Sequence, residues 1–215
     1  MSLVSRLALV LFLAASCFVA GPAGAQGVDD ATRAAARSLG YEGVQDFQAG
    51  SYPAAADKLD RAYRALKVPS LGLWSARAFE KIGKLVEASE RLLEVQRLDA
   101  SGGDVSVQKQ AQADAATDQA AIAPRIPSVV ILIEGATADQ ARVTVNGSPV
   151  PASLIGLKRQ VNPGSVKVDG VSGGATATQS VTLKEGESKT VTLRFAAGTA
   201  AAPAAAAVST PAPAP

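Results

Sequence analysis

Apolar residues in the N-terminal half of the chain recur at three- and four-residue steps between Asp29 and Leu98. That spacing is typical of amphipathic helices. Pro53 suits the first turn of a helix, where a missing N–H costs nothing, and we expect Pro69 to close the segment that Pro53 opens. The pattern predicts helices over four ranges: 31–48, 53–66, 71–82 and 85–98.

Two stretches of this half repeat the same order of small and large side chains. A glycine opens each stretch, and the two glycines lie 33 residues apart. The two sets of pattern positions are Gly50, Tyr52, Ala55, Leu59 and Ala62, then Gly83, Leu85, Ala88, Leu92 and Val95. A constant offset of this size indicates stacked helix–turn–helix units. The glycines permit tight turns, the alanines allow a close helix crossing, and the leucines fill the space behind them.

These residues resemble the tetratricopeptide repeat, a family of paired helices. The matching positions are Gly43, Gly50, Tyr52, Ala55, Leu59 and Ala62 in the first copy, and Ala76, Phe79, Gly83, Leu85, Ala88, Leu92 and Val95 in the second. Asp46 stands where an aromatic residue is usual, with Phe47 one place late, and Ala100 replaces the closing proline of the second copy. The alternative is an unrelated helical bundle with a chance periodicity.

The resemblance implies a concave groove that binds a segment of a protein or peptide partner. Aromatic side chains are the candidates for this contact, because they dominate such interfaces. The four candidates are Tyr41, Phe47, Tyr63 and Trp74, the last being the only tryptophan of the chain. Each has two interpretations: it lines the groove, or it fills the joint between the repeats.

A further helix is expected to cover the end of this array, because a short stack of repeats leaves an apolar face open. Asp104 is a suitable N-cap and Pro124 a suitable stop, so we expect the helix between them. Glu87 and Arg91 stand four residues apart in the favourable order for an ion pair. We expect both on the outer face of the last repeat helix.

The pattern changes to alternation after Pro127. Asn146-Gly147, placed between alternating apolar residues, is a strong hairpin signal. Pro-Gly, Asp-Gly, Gly-Gly and Glu-Gly pairs separate the stretches that follow. Six or seven short strands over 127–195 predict a small antiparallel β-sandwich. The expected fold class is therefore α+β with two domains, helical hairpin repeats over 27–123 and the sandwich over 127–195.

The segments "VTVNGSPVP" and "VNPGSVKV" of this β region resemble the PEGA-type domain of bacterial surface proteins. The literal Pro-Glu-Gly-Ala signature is missing. Helical repeats followed by such a sandwich and an Ala/Pro-rich stretch are also similar to a group of bacterial envelope proteins. The resemblance implies an alternative function, in which the sandwich binds cell-wall glycan (peptidoglycan).

The first residues have the composition of a secretory signal peptide. Residues 1–25 combine a positive start at Arg6, an apolar middle, and small residues at Ala23 and Ala25. The rival interpretation is an uncleaved anchor, for which the apolar run is short. We therefore expect an exported protein of the periplasm or cell envelope.

The last residues, 196–215, are almost entirely alanine and proline. Such a segment cannot bury a core, so we expect an extended, disordered tail. Cys17 is interpreted as an apolar residue of the signal peptide. Membrane contact is expected only if Cys17 is lipidated or if the chain continues past Pro215.

The residue types present restrict the chemistry. The chain has no histidine and a single cysteine, Cys17, which excludes Ser-His-Asp and Cys-His arrangements and histidine–zinc sites. We expect no metal and no cofactor. Its 21 basic and 19 acidic residues are well mixed, which leaves no electrostatic footprint for nucleic acid.

One short motif needs a separate interpretation. Ser106 and Lys109 spell S-x-x-K, the nucleophile and lysine of penicillin-recognising enzymes. The companion motifs S-D-N and K-T-G are absent, so we interpret the pair as the polar start of a helix. Together these observations predict a non-enzymatic protein-binding or scaffold module of the bacterial cell envelope.

Overall fold

The structure is a computed structural model that describes residues 29–195. The predicted signal peptide (1–25), Cys17 and the predicted tail (196–215) lie outside the described residues. A helical region comes first and a β region follows it, which confirms the α+β class. Between residues 29 and 195, no helix combines the length and the apolar character needed to cross a membrane.

Five α-helices form the helical region. Their bounds are α1, Asp30–Gln48; α2, Tyr52–Ala65; α3, Pro69–Lys81; α4, Leu85–Val95; and α5, Val105–Ile122. The four predicted helices are present, with α4 ending three residues earlier than expected. The interpretation of Pro69 needs a correction, since this proline is the first residue of α3. At that position a missing backbone N–H leaves no helical hydrogen bond unmade.

The turns between α1 and α2 and between α3 and α4 are built alike. Gly50 and Gly83 have φ angles of 78° and 75°, a conformation that strains any residue with a Cβ atom. The backbone N–H of Gly50 donates to the carbonyl of Phe47 at 3.1 Å, and that of Gly83 donates to the carbonyl of Glu80 at 3.0 Å. The two glycines that lie 33 residues apart in the sequence therefore form turns with the same backbone conformation and the same type of hydrogen bond.

Small residues lie where the helices approach one another most closely. Ala55 and Ala88, expected at the helix crossings, are completely buried. Leu59 and Leu92 are completely buried as well. A Cβ atom on Gly43 would lie only 2.7 Å from Cγ of Leu59, so α1 and α2 come too close for a side chain there.

Glu87 and Arg91 do not form the ion pair expected on the outside of α4. Glu87 accepts a hydrogen bond from the Asn162 amide of the β region at 2.7 Å. Arg91 turns toward the neighbouring helices and donates to Asp60 of α2 at 2.9 Å and to Ser75 of α3 at 3.0 Å. Each side chain finds a partner across the tertiary structure, whereas an exposed pair on one helix contributes only about 0.2–0.5 kcal/mol.

Seven strands form two sheets around one apolar core. Their bounds are β1, Ser128–Glu134; β2, Ala141–Val145; β3, Ser148–Val150; β4, Lys158–Gln160; β5, Gly164–Ser172; β6, Ala175–Leu183; and β7, Ser188–Arg194. The strand order is β3-β2-β5-β6 in the four-stranded sheet and β4-β1-β7 in the three-stranded sheet. Buried residues from both sheets form the core: Val129, Ile131, Val191 and Leu193, with Val143, Val145, Val166 and Val168.

One strand pairing corrects the expected antiparallel architecture. The four-stranded sheet is antiparallel throughout, but β1 and β7 of the other sheet run parallel, with Ser128 opposite Ser188. These are the first and last strands of the β region, so no hairpin joins them. The chain between them passes through the second sheet, a connection that permits the parallel direction.

The glycine-containing pairs of the β region have two different roles. Asn146-Gly147 forms the predicted turn between β2 and β3, with positive φ at both residues. The turn predicted at Asp169-Gly170 is wrong, because both residues lie within β5. A Cβ atom on Gly170 would lie 2.7 Å from the ring of Phe195. This glycine therefore makes room for an aromatic side chain instead of reversing the chain.

Arg125 connects the two regions just before β1. Its guanidinium bonds the Glu80 carboxylate of α3 and, at 2.8 Å, the Glu185 carboxylate of the turn between β6 and β7. The hydrogen bond from Arg125 holds the pKa of the Glu185 carboxyl below its ordinary value. This pair of contacts ties the end of the helical region to one turn of the β region.

Candidate functional site

A cleft of about 460 Å³ lies between α3 and α5. Two features combine in it: apolar side chains on its walls and polar side chains that remain accessible beside them. The lining residues are Ser70, Leu73, Trp74 and Arg77 of α3, and Ser106, Val107, Gln110, Ala111 and Asp114 of α5. We refer to this cleft as the α3–α5 groove.

The packing of α5 against α3 and α4 produces the groove. Asp104 caps α5 as predicted, because its carboxylate accepts hydrogen bonds from the backbone N–H groups of Ser106 at 2.9 Å and Val107 at 3.3 Å. Ala111 and Ala115 on the inner side of α5 are buried in the helical core. Their small size lets the helix sit close, while Val107 in its first turn stays half exposed (50%).

Trp74 lies between the core and the groove. Its ring packs edge-on against Phe47 at a centroid distance of 5.4 Å, within the cluster that includes Ala55 and Leu59. The same side chain lines the α3–α5 groove. One side of Trp74 therefore contacts the core, and the other side borders the groove.

Charges line the groove unevenly. Arg77 lies over the Trp74 ring with its guanidinium carbon 5.6 Å from the ring centroid, and it pairs with Asp118 at 2.7 Å and Asp114 at 3.4 Å. Gln110 donates a further hydrogen bond to Asp114 at 2.7 Å. Two carboxylates thus share one guanidinium, and Asp118 reaches it from outside the lining of the groove.

A second cleft of about 330 Å³ continues on the other side of Arg77. It brings Phe47 of α1 together with Lys81 of α3 and Ile122 of α5, and Asp118 lines it as well. Because Arg77 borders both clefts, they form one continuous surface along α3 and α5. Phe47 and Trp74, two of the four predicted contact residues, are therefore brought together at this surface.

The two predicted tyrosines lie elsewhere. Tyr41 is 68% exposed on α1 and does not line either cleft. Tyr63 of α2 is only 1% exposed, and the Arg91 guanidinium carbon lies 4.1 Å from its ring centroid. A side chain covered in this way has no surface left for a partner, so Tyr63 acts within the helical core.

Burial raises the pKa of the Tyr63 hydroxyl, and the nearby Glu94 carboxylate adds to that effect. Burial by itself would raise the pKa of Glu94, but the hydrogen bond from the Lys67 ammonium and the neighbouring Tyr63 hydroxyl outweigh it, so the pKa of Glu94 is lowered. Lys67 lies 2.9 Å from the Glu94 carboxylate. The group therefore keeps a neutral tyrosine beside an ionised glutamate, an arrangement that stabilises the contact between α2 and α4.

A further cavity of about 330 Å³ lies at the start of α3. Arg33 and Arg37 of α1 line it together with Gly102, Gly103 and Gln108. No pattern in the sequence predicted this cavity. The signal that was available is the pair of arginines one helical turn apart on α1.

Ser106 and Lys109, the residues of the S-x-x-K motif, lie near the N-terminal end of α5. The hydroxyl of Ser106 donates to the Asp104 carboxylate at 2.7 Å, and this hydrogen bond lowers the pKa of Asp104. Lys109 is exposed on α5. Within residues 29–195, no cluster of three or more acidic, histidine or cysteine side chains is arranged to hold a metal ion.

Comparison with models of protein families, with curated proteins and with solved structures finds no match for this chain. The geometry of the groove and the chemistry of its residues therefore carry the functional argument.

Proposed function

We propose that the helical region is a non-enzymatic binding module, and that the α3–α5 groove holds a segment of a protein partner. The observation that carries this proposal is the position of Trp74, which is anchored by the core on one side and borders an open groove on the other. A rigid, partly exposed tryptophan is the kind of side chain that dominates the energy of protein interfaces.

The groove also determines the chemistry of the partner segment. Trp74 and Val107 offer apolar surface to one side chain of the partner. Beside them, Asp114 and Asp118 share the single guanidinium of Arg77. The partner segment therefore carries an apolar side chain next to a lysine or arginine. Complementary charge of this kind mainly increases specificity and the rate of association.

The resemblance of the helices to tetratricopeptide repeats agrees with this proposal, because such arrays bind partner segments on one face. The two turns built alike at Gly50 and Gly83 support that resemblance. By the same reasoning the β region is an accessory domain of the PEGA type, and the protein acts in the bacterial envelope after export. Binding of cell-wall glycan through the β region remains the alternative.

The test uses displayed random peptides selected against the purified chain. We expect the enriched peptides to contain an apolar residue beside a basic one. Because Trp74 is the only tryptophan, a bound peptide without tryptophan should change the intrinsic fluorescence of the protein. Titration of this signal then gives the affinity directly.

Two valines of α5 supply a matched pair of variants. Val107, which is 50% exposed, lines the groove, whereas Val105, which is 46% exposed, does not. Val107→Lys should weaken peptide binding at least about tenfold, equivalent to about 1.4 kcal/mol, because it places a cation in the apolar wall, where it repels the basic residue of the peptide. Val105→Lys should leave the affinity unchanged. Enriched peptides that bind both variants as tightly as the unmodified chain would show that the groove is not the site.

A further inference from the structure

The two sheets have four edge strands, and three of them carry features that discourage further pairing. β3 is three residues long and contains Pro149; β4 is equally short and contains Lys158 and Arg159. β7 contains Lys189 and Arg194. Short strands, proline and charged side chains are the usual protection of a sheet edge.

The fourth edge strand, β6, has none of these features. Its sequence, ATATQSVTL over Ala175–Leu183, is nine residues long and contains neither a proline nor a charged residue. β6 pairs with β5 on one side only. It is thus a long strand without charges of its own, and its edge is touched at one end by Lys189 of β7, which donates to the carbonyl of Thr182.

The register shows which backbone groups are free at this edge. Asn146 donates its backbone N–H to the carbonyl of Lys167 at 2.8 Å, so Lys167 directs its backbone groups toward β2. Because these groups alternate along a strand, Val168 directs its groups toward β6, where it is opposite Gln179. In β6 the residues at odd positions therefore bond β5. The residues with backbone groups at the free edge are Thr176, Thr178, Ser180 and Thr182.

The inner face of β6 is incompletely covered. Ala175, Ala177 and Val181 pack against the β core but remain only partly buried, and no further strand is hydrogen-bonded at this edge. Leu183 at the end of the strand is fully buried. A strand added at this edge would cover the apolar side chains that are still partly exposed.

We infer that β6 pairs with β6 of a second copy of the chain, antiparallel and about a twofold axis at Gln179. Cross-strand pairs of hydroxyl residues and pairs of apolar residues are favourable in an antiparallel sheet. The twofold register matches hydroxyl with hydroxyl and apolar with apolar: Thr176 with Thr182, Thr178 with Ser180, Ala177 with Val181, and Ala175 with Leu183.

The hydrogen bonds fit the same register. Thr178 and Ser180 of the two copies are opposite each other, and both direct their N–H and C=O groups at the free edge. Lys189 donates to the carbonyl of Thr182 at 2.7 Å, but a carbonyl oxygen accepts two hydrogen bonds. The result is one continuous sheet of eight strands, formed by the two four-stranded sheets.

The test is a measurement of molecular mass by sedimentation of the full chain over a dilution series. The unmodified chain should reach twice the monomer mass at high concentration. In the proposed dimer Gln179 is opposite its own copy, so Gln179→Lys and Gln179→Glu should each be monomeric, since like charges would face each other. An equal mixture of the two variants should recover the doubled mass, because the charges are then opposite.

Two further variants complete the experiment. Gln160→Lys makes the same change on an exposed residue of β4 and should leave the dimer intact. Ser180→Pro removes an N–H that points only at the free edge and should give a folded monomer with an unchanged circular dichroism spectrum. The proposal is overturned by a monomeric unmodified chain, by a dimer that survives Gln179→Lys, or by charge variants that stay monomeric when mixed.

Discussion

The helical region and the β region are stabilised by different kinds of side chain. Alanines and glycines mark the closest helix contacts, as at Ala55, Ala88 and Gly43, and the arginines Arg77 and Arg91 bridge between helices. In the β core, eight of the thirteen buried residues are valines. Residue size therefore decides how closely the helices approach one another. In the strands, the alternation of apolar and polar residues decides which face is buried.

The two regions also differ in where they leave surface for other molecules. In the helical region, side chains form the proposed binding surface, because the backbone of a helix satisfies its own hydrogen bonds. In the β region, the backbone of β6 forms the proposed surface, because an edge strand has unpaired N–H and C=O groups. The first surface would select a partner by side-chain chemistry, and the second by strand geometry.

The largest effect is expected from deleting one core leucine in each region. Leu59 and Leu183 are both fully buried, so Leu59→Ala and Leu183→Ala should each lower the free energy of unfolding by about 2–5 kcal/mol. Trp74 lies in the helical region, so its fluorescence follows the unfolding of that region in urea. If the two regions are separate domains, Leu59→Ala shifts the fluorescence transition and Leu183→Ala shifts only the circular dichroism of the β region.

The control for this comparison is Leu93→Ala, since Leu93 is 40% exposed on α4 and its truncation should have little effect. A Leu183→Ala variant that moves the Trp74 transition as far as Leu59→Ala does would show that the chain unfolds as one cooperative unit. The contacts of Arg125 and Asn162 would then be the connection responsible.

A smaller effect is expected from substituting glycines. Gly50 and Gly83 have positive φ and open space around them, so alanine at either position should lower the free energy of unfolding by the same amount, about 1–2 kcal/mol. Asparagine, which tolerates this conformation, should restore part of the loss. Unequal losses for the two alanine variants in urea unfolding would contradict the equivalence of the two turns.

Gly170 of the β region serves as the comparison for the two turn glycines, Gly50 and Gly83. Its φ is not in the positive range, and the difficulty there is the Phe195 ring. Alanine at this position should cost about 1–3 kcal/mol through overpacking, and asparagine should be worse than alanine, the reverse of the order at the two turns.

The smallest effect concerns the ion pair between Arg125 and Glu185. Its hydrogen bond holds the pKa of Glu185 below the ordinary value of 4.5. A carboxyl with a lowered pKa stabilises the fold fully above its unfolded value, and this contribution is lost as the pH falls through the folded value. Since 47% of the Glu185 side chain is exposed, solvent screening limits the contribution to about 0.5 kcal/mol.

Glu185→Gln should therefore lower the free energy of unfolding at about pH 7, and the difference between the two proteins should shrink as the pH falls through the lowered pKa of Glu185. Urea unfolding of both proteins over a series of falling pH values gives the comparison. A difference that stays constant with pH would mean that hydrogen bonding to Arg125, and not the charge, is responsible.

Features that depend on neighbouring residues in the chain were predictable. Asp104 caps α5 because its side chain reaches N–H groups two and three residues ahead. Asn146-Gly147 turns the chain because these residues tolerate positive φ. The burial of Ala55 and Ala88 followed from a periodicity that repeats within one region. In each case the information lies within a few residues or a regular spacing.

Features that depend on distant partners were not predictable in the same way. The ion pair expected between Glu87 and Arg91 is replaced by contacts with Asn162 and Asp60, which are far away in the sequence. The candidate tyrosines illustrate the same point, because an aromatic residue carries no sign of whether it will be covered. Tyr63 is enclosed under Arg91, whereas Trp74 borders an open groove.

Residue order alone was thus sufficient for the helices, the glycine turns, the cap of α5 and most of the strands, because short-range sterics and hydrogen bonding specify them. Three features could be seen only in the folded chain. They are the parallel pairing of β1 with β7, the space that Gly170 leaves for Phe195, and the contact of Phe47 with Trp74 at one surface. These contacts join segments far apart in sequence, and the choice among possible partners depends on how all the elements pack at once.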